Sequence, residues 1–373
     1  MINIPNPMST YGPHNDAWDP LRSLEKYGEH RLTSVELTVT NLCNMRCEHC
    51  AVGEALAMTE PPKLPLADVL RMLDQVERLE TISLTGGEPS FRADTVRDYV
   101  IPILQYARGR GVLTQLNSNL TLDYRLYERI APHLDVLHMS YNYLSADDFY
   151  EIGFARAGHP VGRETAAKLY DRMIDNAVRL SKGGLFVSAE SMINYRTWRH
   201  MPAIHRHIVE MGCRRHEVHP MYPSDYAADL PMLTLAEMRA AIGELLDARD
   251  PELWMLFGTL PFYACSADEE DRRILRRLRE APNVTVRNDP DGRNRLNVDL
   301  FTGNVHVTDF ADVSALGNVR EETLPTIFAR WQRHELYRAF NCHCPEARCC
   351  GPNVLVAGMY YREVDFTQRK AKL

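Results

Sequence analysis

Cys43, Cys47 and Cys50 fall within the eight residues "CNMRCEHC", a C-x3-C-x2-C spacing placed directly after an apolar, β-branched run. Three thiolates on one short loop could hold zinc, but zinc sites favour C-x2-C pairs and need a fourth ligand. The same three suit a cubane iron–sulfur cluster in which one iron is left open for another molecule. A second group, "NCHCPEARCC", places Cys342, Cys344 and Cys349 in C-x-C-x4-C order with Cys350 adjacent. Between the groups lie Cys213 and Cys265, which brings the total to nine cysteines in 373 residues. A secreted disulfide framework normally comes with a signal peptide and a smaller chain. The N-terminus has no basic n-region and no apolar h-region, so metal or redox use of the thiols in a cytoplasmic protein is the expectation.

The elements that must position these residues are legible as strand–helix units. "SVELTVT" (34–40) alternates as a strand, and "TISLTGGEP" (81–89) follows a helix whose Leu66, Val69, Leu70, Leu73, Val76 and Leu79 recur at three- and four-residue steps. Strands are expected within 111–119, 134–142, 184–194 and 215–223, with helical stretches such as 163–180 between them. Six such units predict an α/β fold with a parallel sheet and right-handed crossovers, a partial (β/α)6 TIM-like barrel. The strands end in polar clusters: Thr85-Gly86-Gly87-Glu88, Asn117-Ser118-Asn119, Ser140-Tyr141-Asn142 and Glu190-Ser191. Any one of these reads as an ordinary turn; repeated at strand end after strand end, they read as the lining of a cavity. Gly86 and Gly87 supply a backbone edge that a polar ligand can approach closely.

After about residue 255 the character changes. Residues 284–309 suggest a twisted hairpin with Asp-Pro-Asp-Gly and Thr-Gly-Asn turns, followed by a helix leading to the second thiol group. The expected organisation is a lead-in (1–33), a barrel (34–255) and a smaller C-terminal domain (256–373). A net charge of −7 gives no sign of a nucleic-acid partner, and the basic run Arg272–Glu280 reads as a solvated helix face. No stretch approaches eighteen uninterrupted apolar residues, which argues against a membrane span.

"CNMRCEHC", "LTGGEP" and the strand–helix series together resemble the radical SAM superfamily, over roughly residues 34–222. The resemblance implies that Cys43, Cys47 and Cys50 ligate a [4Fe-4S] cluster whose fourth iron chelates S-adenosylmethionine. It implies that Gly86, Gly87 and Glu88 hold the methionine amino group, that Ser140 or Glu190 contacts the ribose or carboxylate, and that His49 stands beside the adenine. The implied chemistry is electron delivery by a reducing partner such as flavodoxin or ferredoxin, reductive cleavage to a 5′-deoxyadenosyl radical, and hydrogen abstraction from a peptide or small-molecule substrate.

The C-terminal part is similar to the SPASM/twitch extension of that superfamily, and the C-x-C-x4-C ending most resembles YfkAB-type proteins. That extension usually carries a cysteine five residues after the hairpin glycine, where this chain has Thr308. One auxiliary [4Fe-4S] cluster is therefore expected, on Cys265, Cys342, Cys344 and Cys349, as an electron acceptor or substrate anchor; a structural zinc site is its alternative. Cys213 reads as a small core residue. Tyr141, Tyr143 and Tyr150 read as packing, His205, His207, His216 and His219 as hydrogen-bonded or surface groups, and Trp18 as a cap on one barrel end. For the whole chain, the other reading is a non-catalytic iron–sulfur or zinc-binding scaffold.

Overall fold

A computed structural model describes residues 11–156, 161–222, 224–308, 314–340 and 352–366. The six expected strands form in order: β1 (Ser34–Thr40), β2 (Thr81–Gly86), β3 (Leu113–Ser118), β4 (Val136–Ser140), β5 (Phe186–Ile193) and β6 (Arg215–Pro220). Each pairs in parallel with the next. The parallel series then continues through β7 (Trp254–Gly258) and β8 (Val284–Arg287). On the other side of β1 lies β9 (Arg295–Asp299), also parallel, followed by the antiparallel β10 (Asn304–His306) and β11 (Gly317–Asn318). The register climbs around the sheet: Ser34 is level with Thr81, but Gln115 with Val136 and Ser188 with Arg215. That stagger is the strand tilt a barrel wall requires.

The sheet is a partial barrel, with no ladder between β8 and β9. Residues 288–294 bridge this gap. The expected hairpin over 284–309 is therefore corrected in its first half. The Asp-Pro-Asp-Gly segment joins β8, at one end of the sheet order, to β9 on the far side of β1, while Gly303 (φ +79°) turns β9 into β10 as a true hairpin. Local turn chemistry is the same in both cases, and only the sheet's curvature distinguishes them. β7 also runs across the expected 255/256 boundary, so the residues after 255 continue the wall begun by β1.

Alternation decides what each side of the wall carries. On β4, Leu137 and Met139 join the main core beneath the helices, whereas Val136 belongs to an inner cluster and His138 and Ser140 line the cavity. Helices cover the outer face, among them Leu66–Asp74, Arg163–Lys182, Met201–Glu210 and Leu235–Ala248, the last started by a Thr234/Glu237 capping box. The lead-in closes the end of the barrel where strands begin. Tyr11 and Trp18 pack on Leu113, Val136, Phe186 and Trp254, the first residues of four strands, and Trp18 Nε1 donates to Ser83 Oγ at 3.2 Å. No helix among the described residues is long and apolar enough to cross a membrane.

Candidate functional site

The cysteine loop leaves β1 at the open end of the barrel and is clamped on both sides. The Arg46 guanidinium donates to the carbonyls of Cys43 and Met45, each at 2.8 Å, and of Ala57 at 3.2 Å. The Arg46 and Glu48 amides donate to Gly153 and Ile152 carbonyls at 2.9 and 3.0 Å. Glu48 in turn takes Tyr195 and Arg196. Cys43, Cys47 and Cys50 line one cavity of about 270 Å³ together with Gly86 and Gly87. Burial pushes the Cys43 thiol up to about 12, and burial with Cys50 and Cys43 nearby drives Cys47 well above the usual thiol range. Three mutually close thiols facing a cavity are a donor set that suits a thiolate-held cluster, in which metal coordination relieves the cost of charging them. Among the described residues, no group of three or more His, Cys, Asp or Glu side chains is placed to hold a single metal ion.

The two glycines bring β2 onto this loop. Gly86 has φ +128°, and a Cβ there would lie 2.0 Å from the Thr40 carbonyl oxygen; at Gly87 it would lie 2.3 Å from that of Leu42. The amides of Gly87 and Glu88 donate to those same two carbonyls at 2.7 Å. Glu88 is absent from the cavity lining. Its buried carboxylate accepts from the Ser90 amide at 3.1 Å, the Ser90 hydroxyl, Ser118 Oγ at 2.9 Å and the Asn119 amide at 2.6 Å. Its side chain buttresses the end of β3.

The other expected residues divide. His49 lines the cavity, fully enclosed, and burial lowers its pKa to about 4. Ser140 lines it with an exposed side chain. Glu190 also lines it but is held between two histidines, with His138 Nε2 2.7 Å away and His219 Nε2 in contact. Despite burial, these two histidines hold the Glu190 carboxyl well below its usual range. Cys265 is half-buried beside Tyr263 and Tyr361, away from the cavity lining. Cys342, Cys344, Cys349 and Cys350 lie outside the described residues.

Several lining residues carry no motif. Glu36, His138, Glu217, Arg287, Asp289, Asp291 and Arg295 form the charged inner wall. Glu217 pairs with Arg287 and, at 3.0 Å, with Arg215; Arg295 reaches Asp291 at 2.6 Å and Glu36 at 3.2 Å. Period-two alternation was their available signal, since Arg215, Glu217 and His219 share one face of β6. His216, on the opposite face, pairs with His205 at 3.0 Å. Trp18, Tyr150 and Cys213 pack as expected. Tyr143 is packed too, and it also lines the cavity.

Residues 37–207 match the Radical SAM superfamily, and residues 221–371 match the YfkB-like domain. YfkA of Bacillus subtilis (strain 168) is 54% identical over 361 residues, an alignment spanning 96% of this chain and 97% of that protein. The chain belongs to the radical SAM superfamily. A partial relative within it is the GTP 3′,8-cyclase of Synechococcus elongatus, 30% identical over 132 residues, or 35% of this chain and 40% of the cyclase. Two solved structures share the fold of this radical SAM protein. Streptococcus suis SuiB bound to S-adenosylmethionine gives a TM-score of 0.58 at 14% identity, over 90% of this chain and 74% of SuiB. Native anSMEcpe with bound AdoMet and a Cp18Cys peptide gives a TM-score of 0.57 at 13% identity, over 85% of this chain and 87% of that one.

Proposed function

We propose that this protein is an enzyme that cleaves S-adenosylmethionine reductively at a [4Fe-4S] cluster held by Cys43, Cys47 and Cys50. The observation that carries the reading is the convergence, on one cavity, of three thiols from a clamped loop with the Gly86–Gly87 edge and a charged inner wall. When bound, the cluster and S-adenosylmethionine supply one-electron cleavage of a sulfonium C–S bond and a 5′-deoxyadenosyl radical able to take hydrogen from a substrate.

The chain's own residues do the positioning. Gly86 and Gly87 present backbone to the methionine amino group, and Glu88 holds the neighbouring strand end in register. Ser140 offers its hydroxyl to the ribose or carboxylate, and His49 walls the adenine. Glu190, fixed by His138 and His219, faces the deeper substrate side. The substrate is a peptide or a small molecule with polar groups to meet the charged wall; SuiB, which shares the fold, has been solved with a precursor peptide, SuiA. The barrel closed at one end by the lead-in keeps bulk water from the reacting groups. The site takes its electron from a flavodoxin- or ferredoxin-type reductant.

Cys265, Cys342, Cys344 and Cys349 hold one auxiliary [4Fe-4S] cluster, as electron acceptor or substrate anchor. What supports the inclusion of Cys265 is its packing beside Ala357 and Tyr361, in the helical segment that follows the second thiol group in sequence. The test is anaerobic reconstitution, reduction and S-adenosylmethionine addition. About eight irons per chain and 5′-deoxyadenosine release are expected, as two cubane clusters require. The Cys43→Ala/Cys47→Ala/Cys50→Ala variant should keep about four irons, those of the auxiliary cluster, and release no 5′-deoxyadenosine. Loss of all iron in that variant would remove the auxiliary cluster from the scheme, and zinc without iron in the wild type would overturn it entirely.

A further inference from the structure

One side chain outside the cysteine and glycine motifs points at a thiol of the cysteine loop. Asn119, just past β3, points its Nδ2 at Cys43 Sγ, 3.8 Å away, and donates to Asn44 Oδ1 at 2.9 Å. The orientation of this amide is determined. Asn119 Oδ1 accepts from the Thr121 amide at 3.1 Å, and a backbone N–H can only donate, so the NH2 group must face the sulfur. Thr121 Oγ1 adds a second donor to the same oxygen at 2.7 Å. The backbone of Asn119 is held in place by Glu88, so the GGE stretch reaches Cys43 by way of this residue.

Tyr143 lines the same cavity as Cys47, its ring held edge-on by Phe149, with centroids 4.9 Å apart, and by Tyr141 at 5.9 Å. The Met45 amide donates to Cys43 Sγ at 3.4 Å, which belongs to the loop itself. Donors aimed at ligand sulfurs stabilise the more negative, reduced state of an iron–sulfur cluster and raise its potential.

We propose that Asn119 is a positioning residue that sets the reduction potential of the cluster held by Cys43, Cys47 and Cys50. This rests on the reading above and adds to it one residue with a stated electronic role. Losing this donor makes the cluster harder to reduce.

The experiment uses the reconstituted full chain as wild type, Asn119→Asp and Asn119→Leu, each titrated anaerobically against potential and followed by electron paramagnetic resonance. The signal that changes on adding S-adenosylmethionine identifies the cluster with the open iron. At one fixed ambient potential, each variant should show an about tenfold lower ratio of reduced to oxidised cluster, equivalent to about 59 mV for a one-electron couple. Iron content should match the wild type. Wild-type potentials in variants with full iron content would overturn the proposal. If Asn119→Leu fails to take up the cluster, Asn119→Asp decides alone, because aspartate keeps the shape of the side chain and replaces its donor NH2 with an oxygen that cannot donate when ionised. A wild type that assembles no iron–sulfur cluster would sink the proposed function itself, a result distinct from an unchanged potential.

Discussion

Glu217 shows what a single residue carries in this barrel. It is buried on β6 with Arg215 on its own strand, Arg287 on β8, His138 on β4 and Glu190 on β5 around it. Burial alone would raise its carboxyl, but Arg287 and Arg215 outweigh that, and the pKa falls to about 2. A carboxylate with a depressed folded pKa stabilises the fold above its ordinary value near 4.5 and loses that contribution as pH drops toward about 2. Urea midpoints of the full chain should therefore fall across that window. In Glu217→Gln the fall should flatten, while stability at neutral pH drops by about 3–5 kcal/mol because the buried Arg215 guanidinium loses its carboxylate partner and Arg287 loses one of two. An unchanged acid slope in the variant would assign the window to other carboxylates. The three strands "RHEVH", "VLHMS" and "VSAES" each carry polar residues two apart, so an inward polar face was readable. That His138, Glu190 and His219 meet was not, because they come from three strands.

At the scale of elements, the decisive contact is the crossing of the β2 end over the start of the cysteine loop. The two segments approach until only hydrogen fits at Gly86 and Gly87. At Gly87 the obstructing atom is a backbone carbonyl, so an added methyl must displace the loop. Gly87→Ala should cost about 1–3 kcal/mol, the usual range for forced overpacking. Iron uptake after reconstitution should fall along with thermal stability; normal iron uptake would show that the crossing does not position the thiols. The GGE pattern was visible in the chain and its importance was expected. Its physical role divides between residues: the glycines permit the crossing, and Glu88 turns inward to bind Ser90, Ser118 and Asn119.

For the whole molecule, the question is how a wall with an open seam keeps a polar interior dry. The lead-in supplies one closure. Arg215 donates to the Tyr11 hydroxyl at 2.5 Å and lies 5.0 Å from the Trp254 ring centroid, while Asp16 reaches Arg287 at 3.1 Å. Residues 288–294 supply the other, with Arg293 buried against Asp289 and Pro352 carbonyls and Trp331 Nε1 donating to Gly292 O at 2.7 Å. Trp18→Ala removes a fully buried ring from the first closure and should cost about 3–5 kcal/mol by urea unfolding. A loss below about 1 kcal/mol would mean that the lead-in rests on the barrel without sealing it.

The chain by itself determined whatever depends on neighbours in sequence. Three cysteines on one loop, a glycine pair at a strand end and six alternating strands are local patterns, and each reappears where it was read. The tertiary structure decided what depends on closure. It placed β7, β8 and β9 in the same wall, separated one turn-like segment from a true hairpin, and gathered charges from six strands into one cavity. Residues far apart along a chain become neighbours only when the sheet curves, and curvature is a property of the assembled strands rather than of any one of them.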